Sequence, residues 1–207
     1  MNFLSPLLLS ISSNLDTFTV GASYGIKKIR MTKSSLLLIA IITSIGTFIS
    51  MYLGKIIGNF LNQNIANIFG SMLLSLVGIY CIIEHVRIEK KHRGEDISCY
   101  VESNSKYKVI LEDPSIVDID KSYEISINEA LLLSFALTIN NLGVGVAASI
   151  TGVNIPLSVF FNFIVTIISF YLGCFIGNSY LSKFFGKYAT LVSGIILILL
   201  GIYEAFI

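Results

Sequence analysis

The sequence predicts an all-α polytopic membrane protein, with six transmembrane helices arranged as two inverted three-helix repeats. Three observations predict it. Of 207 residues, 54% are hydrophobic and only 13% charged, with a mean hydropathy of +0.80, whereas soluble domains carry about 25% charge. Six apolar stretches, at 3–25, 34–54, 66–86, 128–150, 156–177 and 188–207, each reach the length of about 20 residues that spans hydrocarbon. The two halves of the chain also repeat one another.

The first stretch begins at Met1-Asn2-Phe3 without a basic segment or a small-residue cleavage site, and Asp16 interrupts it. It reads as a retained helix and not a signal peptide. Lipid offers no hydrogen-bond partner to a backbone, so all six stretches are helices and not open strands. Pro156 suits the first turn of the fifth, where its missing N–H costs nothing.

Thirteen of the fourteen Lys and Arg residues fall in alternate links. Lys27, Lys28, Arg30 and Lys33 lie between helices 1 and 2. Arg87, Lys90, Lys91, Arg93, Lys106, Lys108 and Lys121 lie between helices 3 and 4, and Lys183 and Lys187 between helices 5 and 6. Only Lys55 lies opposite. The positive-inside rule then places the long link in the cytoplasm and both termini outside, in a bacterial plasma membrane. The basic run from Arg87 to Arg93 suits anionic headgroups and not nucleic acid. Cys81, Cys99 and Cys174 share no ligand spacing and read as reduced, unpaired thiols.

Leu7-Leu8-Leu9-Ser10 is echoed by Leu131-Leu132-Leu133-Ser134, and at the same offset Asp16 falls on Asn140 and Gly21 on Gly145. Tyr52-Leu53-Gly54 matches Tyr171-Leu172-Gly173, and Gly78-Ile79-Tyr80 matches Gly201-Ile202-Tyr203. The units are a first repeat at 1–86, a cytoplasmic link at 87–127 and a second repeat at 128–207. Each repeat holds an odd number of helices, so the second is inverted relative to the first. Transporters use this architecture, with the substrate at the midplane between repeats.

Two polar clusters lie at that depth. Helix 1 carries Ser10, Ser13, Asn14 and Thr17 at helical spacing, with Asp16 beside them; helix 4 carries Thr138 and Asn141, flanked by Asn140. Helix 5 adds Asn162 and Thr166. Interhelical hydrogen bonding accounts for any single Ser or Thr. It does not account for Asp16, because packing needs no charge and an intramembrane carboxylate is costly. The candidate ion ligands are Asp16, Asn14, Asn140, Asn141, Thr17 and Thr138. A set made only of oxygens suits Mg²⁺, Ca²⁺ or Mn²⁺ and not zinc or copper.

The run Asn14-Leu15-Asp16-Thr17-Phe18-Thr19-Val20-Gly21, then Ser23-Tyr24-Gly25-Ile26-Lys27-Lys28-Ile29-Arg30, resembles the opening of the YtaF-type sporulation membrane proteins. Asn141-Leu142-Gly143-Val144-Gly145, with Thr151-Gly152-Val153-Asn154, resembles their second half. These proteins belong with the MntP-type manganese efflux pumps, in the superfamily of LysE-like exporters. The resemblance covers nearly the whole chain and implies six helices and export of Mn²⁺. The family pattern has an aspartate in both repeats, and here Asn140 stands in the second place. That leaves three outcomes open: weaker binding, different proton coupling, or loss of transport.

In the link, Asp118, Asp120 and Ser122 alternate, Glu124 follows, and Glu129 closes the segment, as in a helix–loop–helix Ca²⁺ loop. Tyr123 stands where that loop needs Gly. The same residues also read as a helix start, because Ser126 and Glu129 form a capping box. The link is expected to be partly disordered up to about Lys108.

The function expected is export of a divalent cation, Mn²⁺, with the ion as substrate and no cofactor. No nucleotide-binding motif is present, so an ion gradient or the membrane potential would drive it. The alternative is a non-transporting membrane protein that scaffolds partners during sporulation. An intramembrane aspartyl protease is set aside, since only one carboxylate lies deep. The glycine-rich faces allow a homodimer.

Overall fold

The structure is a computed structural model that describes residues 3–60, 63–92, 117–118, 122–177 and 182–206. Its elements are α1 (Leu4–Ser13), α2 (Leu15–Lys27), β1 (Arg30–Met31), α3 (Lys33–Asn59), α4 (Gln63–His92), β2 (Glu124–Ile125), α5 (Ile127–Ile150), α6 (Ile155–Gly177) and α7 (Ser182–Ala205). Among the described residues, four helical spans are long and apolar enough to cross a membrane: Lys33–Asn59, Ile65–Ile83, Ile127–Ile150 and Ile155–Gly177. In α7 the apolar stretch, Leu191–Ala205, is shorter. The chain is a mostly helical, multi-pass membrane protein.

Local signals set the helix starts. Thr32 caps α3, its Oγ1 accepting the Ser35 N–H at 3.2 Å. Ser126 and Glu129 form the capping box of α5. Asn154 accepts the Leu157 N–H at 3.1 Å at the start of α6.

Three features depart from the sequence reading. The stretch 3–25 is not one helix but two, broken at Asn14 (φ −100°, ψ 6°). Asparagine side chains compete with the backbone for helical partners, and the Asn14 amide Nδ2–H donates to the Ser10 carbonyl at 2.8 Å. The helix expected over 66–86 continues to His92, so helix covers the start of what was expected to be the link. The third feature is a short parallel pairing of β1 with β2, Arg30 opposite Glu124 and Met31 opposite Ile125. Asp120, Cys99 and most of the segment expected to be disordered lie outside the described residues.

The closest-packed helix pairs all join the two halves of the chain: α3 with α5, α4 with α7, and α2 with α6. Small residues permit this approach, as is usual where lipid supplies no hydrophobic drive. Gly21 and Gly173 bring α2 against α6, and their sequence equivalents Gly145 and Gly54 bring α5 against α3. A Cβ on Gly78 would meet the Gly194 carbonyl oxygen of α7 at 2.6 Å, and the converse distance is also 2.6 Å. In Gly173→Val the new Cβ falls on the Phe18 carbonyl and lies 2.9 Å from the Ala22 nitrogen. Backbone cannot yield as a side chain can, so a loss of about 3 kcal/mol is expected, read as a lower unfolding midpoint in detergent. Gly143→Ala, with nothing within 4 Å, is the control expected to leave the midpoint unchanged.

Two apolar clusters divide the interior. Val20, Tyr24, Leu36, Ile39, Ile125, Leu133 and Phe170 pack at the end that carries the β1–β2 pair. Leu9, Met51, Leu74, Val144, Leu197 and Leu200 pack towards the other end. Along helices 1 and 4, Asp16 and Asn140 fall between them.

Candidate functional site

Asp16 is placed by the break between α1 and α2. The helix stops at Ser13 and restarts at Leu15, so Asp16 stands in the first turn of α2. A carboxylate is favoured there by the unpaired N–H groups and the positive end of the helix dipole. From α5, the Asn140 Nδ2–H donates to Asp16 Oδ2. One residue further, the Asn141 Nδ2–H donates to the Ser13 carbonyl at 2.8 Å. The two polar clusters of the sequence therefore meet across the halves, at the break. Asp16 is half-buried and Asn140 exposed.

Asn14 and Thr17 belong to a different group. Both are buried. The Asn14 Nδ2–H donates to Asn162 Oδ1 on α6 at 2.8 Å, and its Oδ1 accepts from Thr166 Oγ1 at 2.7 Å and from Thr17 Oγ1 at 3.4 Å. That leaves Asn14 little capacity to ligate an ion. Thr138 turns its hydroxyl back to the Ser134 carbonyl at 2.8 Å, and its methyl lies where a Cβ on Gly46 would fall. Asn162 and Thr166 were visible in the sequence only as polar residues on one face of helix 5. Their tie to Asn14 is tertiary.

Ser12 and Ser193 join α1 to α7, with their hydroxyl oxygens 3.0 Å apart. Ser50 Oγ donates to the Leu142 carbonyl at 2.5 Å, securing α3 to α5 just past Asn140.

At the end away from the β pair lies a cavity of about 970 Å³. Lys55, Asn59, Asn67, Asn154 and Glu204 line it, with Ser5 at the start of α1. The apolar cluster around Leu9 and Val144 lies between these lining residues and Asp16 along α1 and α5.

The β pair lies at the other end. The Arg30 N–H donates to the Tyr123 carbonyl at 2.8 Å, and Ser35 Oγ donates to the Ile125 carbonyl at 3.0 Å. Ile125 and Val117 are fully buried. Asp118 shapes the turn, its two carboxylate oxygens accepting the Ser122 N–H at 3.0 Å and the Tyr123 N–H at 3.1 Å. Tyr123 takes a positive φ of 60°. Ser122 Oγ donates to the Glu124 carbonyl at 2.9 Å. Glu129 Oε2 accepts from the Ser126 N–H at 2.9 Å and the Ser126 hydroxyl at 2.8 Å.

These bonds do not support the expected Ca²⁺ loop. The oxygens of Asp118 and Glu129 accept hydrogen bonds, and the Glu124 carbonyl faces a serine hydroxyl. Among the described residues no group of three or more His, Cys, Asp or Glu could hold a metal ion. Among the described residues, Asp118 and Ser122 build a turn, and Ser126 and Glu129 a helix cap.

The sequence matches a family described as "Putative manganese efflux pump" over residues 1–99 and 108–203. It is 32% identical over 157 residues to "Probable sporulation protein YtaF" of Bacillus subtilis, covering 73% of this chain and 75% of that protein. It is 26% identical over 205 residues to "Putative manganese efflux pump MntP" of Clostridium perfringens, covering 98% and 93%. A Bacillus cereus protein of the same name is 23% identical over 203 residues, covering 97% of this chain and 94% of that one. No solved structure matches. A match across nearly every residue, on a bundle of apolar helices, makes this chain a member of the MntP family, a family of efflux pumps and not of enzymes.

Proposed function

We propose that the chain is a secondary transporter that exports Mn²⁺ through a site at the break in its first span. Asp16 supplies the charge, Asn140 and Asn141 turn their amide oxygens to the ion, and the Ser13 carbonyl completes an all-oxygen set. Asn14, Thr17 and Thr138, also candidates from the sequence, act as supports. The observation that carries the reading is the hydrogen bond from Asn140 to Asp16, which joins equivalent positions of the two halves. Carboxylate and carbonyl oxygens suit Mn²⁺, Mg²⁺ and Ca²⁺ alike, and the names of the relatives favour the first.

The architecture in this reading is six spans in two inverted repeats, with both termini outside. A broken helix at the midplane, with carbonyls at one stub and a dipole end at the other, is how such carriers build ion sites. The β1–β2 pair then closes the cytoplasmic side, and the cavity beside Lys55 and Glu204 is the vestibule on the outer side. Alternating access requires the β pair to part while the outer cluster closes.

The test is the manganese content of a bacterium lacking its own exporter. Expressing the chain is expected to lower it, and an unchanged content at full expression counts against export. The 32% identity to a sporulation protein favours a second reading, a scaffold for partners during spore formation. In that reading Asp16→Asn leaves sporulation intact.

A further inference from the structure

The two halves of the chain repeat one another at several positions, yet the helix break at Asn14 has no counterpart at the matching position of the second half. Asn14 corresponds to Thr138, and α5 runs unbroken from Ile127 to Ile150 through that position. Thr138 returns its hydroxyl to the Ser134 carbonyl, the equivalent of Ser10. The partners of Asn14 differ in the same way. Asn162 and Thr166 correspond to Thr43 and Thr47 of α3. Thr43 donates to its own helix at Ile39, 2.9 Å away, and Thr47 to Thr43 at 2.9 Å. At these equivalent positions, Asn14 reaches across to α6, whereas Thr138, Thr43 and Thr47 bond within their own helices.

That reach is buried and specific. Asn14, Asn162 and Thr166 are 2%, 3% and 0% exposed. Thr166 Oγ1 lies 2.7 Å from both Asn14 Oδ1 and the Asn162 carbonyl, so one hydroxyl proton serves two acceptors. Among the described residues, Asn162 Nδ2 is buried with no partner.

We infer that Asn162 and Thr166 are positioning residues that act through Asn14. They hold its amide between α1 and α6, where its Nδ2–H shares the Ser10 carbonyl with the Asn14 backbone N–H at 3.2 Å, and that N–H turns to the Ile11 carbonyl as well, also at 3.2 Å. The first span then stays broken. The break sets Asp16 at a helix start and frees the Ser13 carbonyl for Asn141. This inference rests on the proposed cation site for its functional consequence, though not for its structural one.

The test uses the full-length protein in proteoliposomes and nanodiscs, with Thr166→Val, Thr166→Ser, Asn162→Leu and Asp16→Asn. Thr166→Val keeps shape and loses the hydroxyl. It is expected to raise the KM for Mn²⁺ about tenfold, the size of one lost hydrogen bond to a positioned group, with the maximal rate nearly kept and Thr166→Ser restoring KM. Backbone hydrogen exchange over residues 10–18 is expected to slow in Thr166→Val and Asn162→Leu, because a healed helix protects its amides. Native KM and native exchange in both variants overturn the inference, even where Asp16→Asn proves the site. Rate and unfolding midpoint falling together, without rescue by Thr166→Ser, also overturn it, since that is a packing defect alone. If the native protein carries no Mn²⁺, the transport reading fails. The exchange arm then decides alone: slowed exchange supports the hinge, and unchanged exchange overturns it.

Discussion

Asp16→Asn is expected to weaken Mn²⁺ binding by at least about 100-fold while the protein remains folded, a loss of about 2.7 kcal/mol. The substitution is nearly isosteric, so the packing of α2 against α6 is undisturbed. What it removes is the only formal charge contributed by the ligands proposed here. Asn140 and Asn141 offer neutral amides, and Ser13 a backbone carbonyl. A divalent ion leaving water recovers its hydration mostly through charged oxygen, and neutral ligands alone give it back poorly in a low-dielectric site. Paramagnetic resonance of free Mn²⁺ in detergent reads the binding directly, and elution as a single monodisperse species checks the fold. Asp16→Glu keeps the charge on a longer stem and is expected to retain part of the affinity. Equal binding by native and Asp16→Asn protein would remove Asp16 from the site.

Joining Met31 to Ile125 by a disulfide is expected to stop transport reversibly. The two residues are Cα partners in the parallel β1–β2 pair, where strands lie about 4.8 Å apart, inside the span a disulfide bridges. The pair links the end of helix 1 to the start of helix 4, and these helices carry Asp16 and Asn140. Its backbone hydrogen bond from Arg30 to Tyr123, the Ser35 bond to Ile125 and the buried Ile125 side chain must all be broken for this side to open. In a chain whose Cys81, Cys99 and Cys174 are replaced, oxidised Met31→Cys/Ile125→Cys protein is expected to lose more than about 90% of its flux, with recovery on reduction and Mn²⁺ binding unchanged. Full flux from a completely cross-linked protein would show that this pair is no gate.

Composition and helical length made the membrane class readable, because the bilayer admits few spanning structures. The repeat also put Asp16 and Asn140 at equivalent offsets, and the structure brings them into hydrogen-bonding contact. The break at Asn14 was not read. Its local signal, an asparagine inside an apolar run, is shared by helices that stay intact, and what decides is Asn162 and Thr166 on a helix far along the chain. The β1–β2 pair was invisible for a similar reason. Two-residue strands carry no periodicity, and their partners are set by how the helix ends come together. In the loop, alternating Asp118, Asp120 and Ser122 suggested a metal site, yet two of the same residue types satisfy a turn equally well. Tyr123 in place of glycine argued against a sharp turn there, yet the structure makes the turn with Tyr123 at a positive φ of 60°.

The measurement that bears most directly on the account is ⁵⁴Mn²⁺ flux in proteoliposomes under an imposed gradient, comparing native protein with Asp16→Asn and with empty vesicles. The account predicts flux from the native protein that saturates with Mn²⁺, and flux from Asp16→Asn no greater than from empty vesicles. Native flux equal to that of empty vesicles, under proton and sodium gradients and with a membrane potential of either sign, would contradict it.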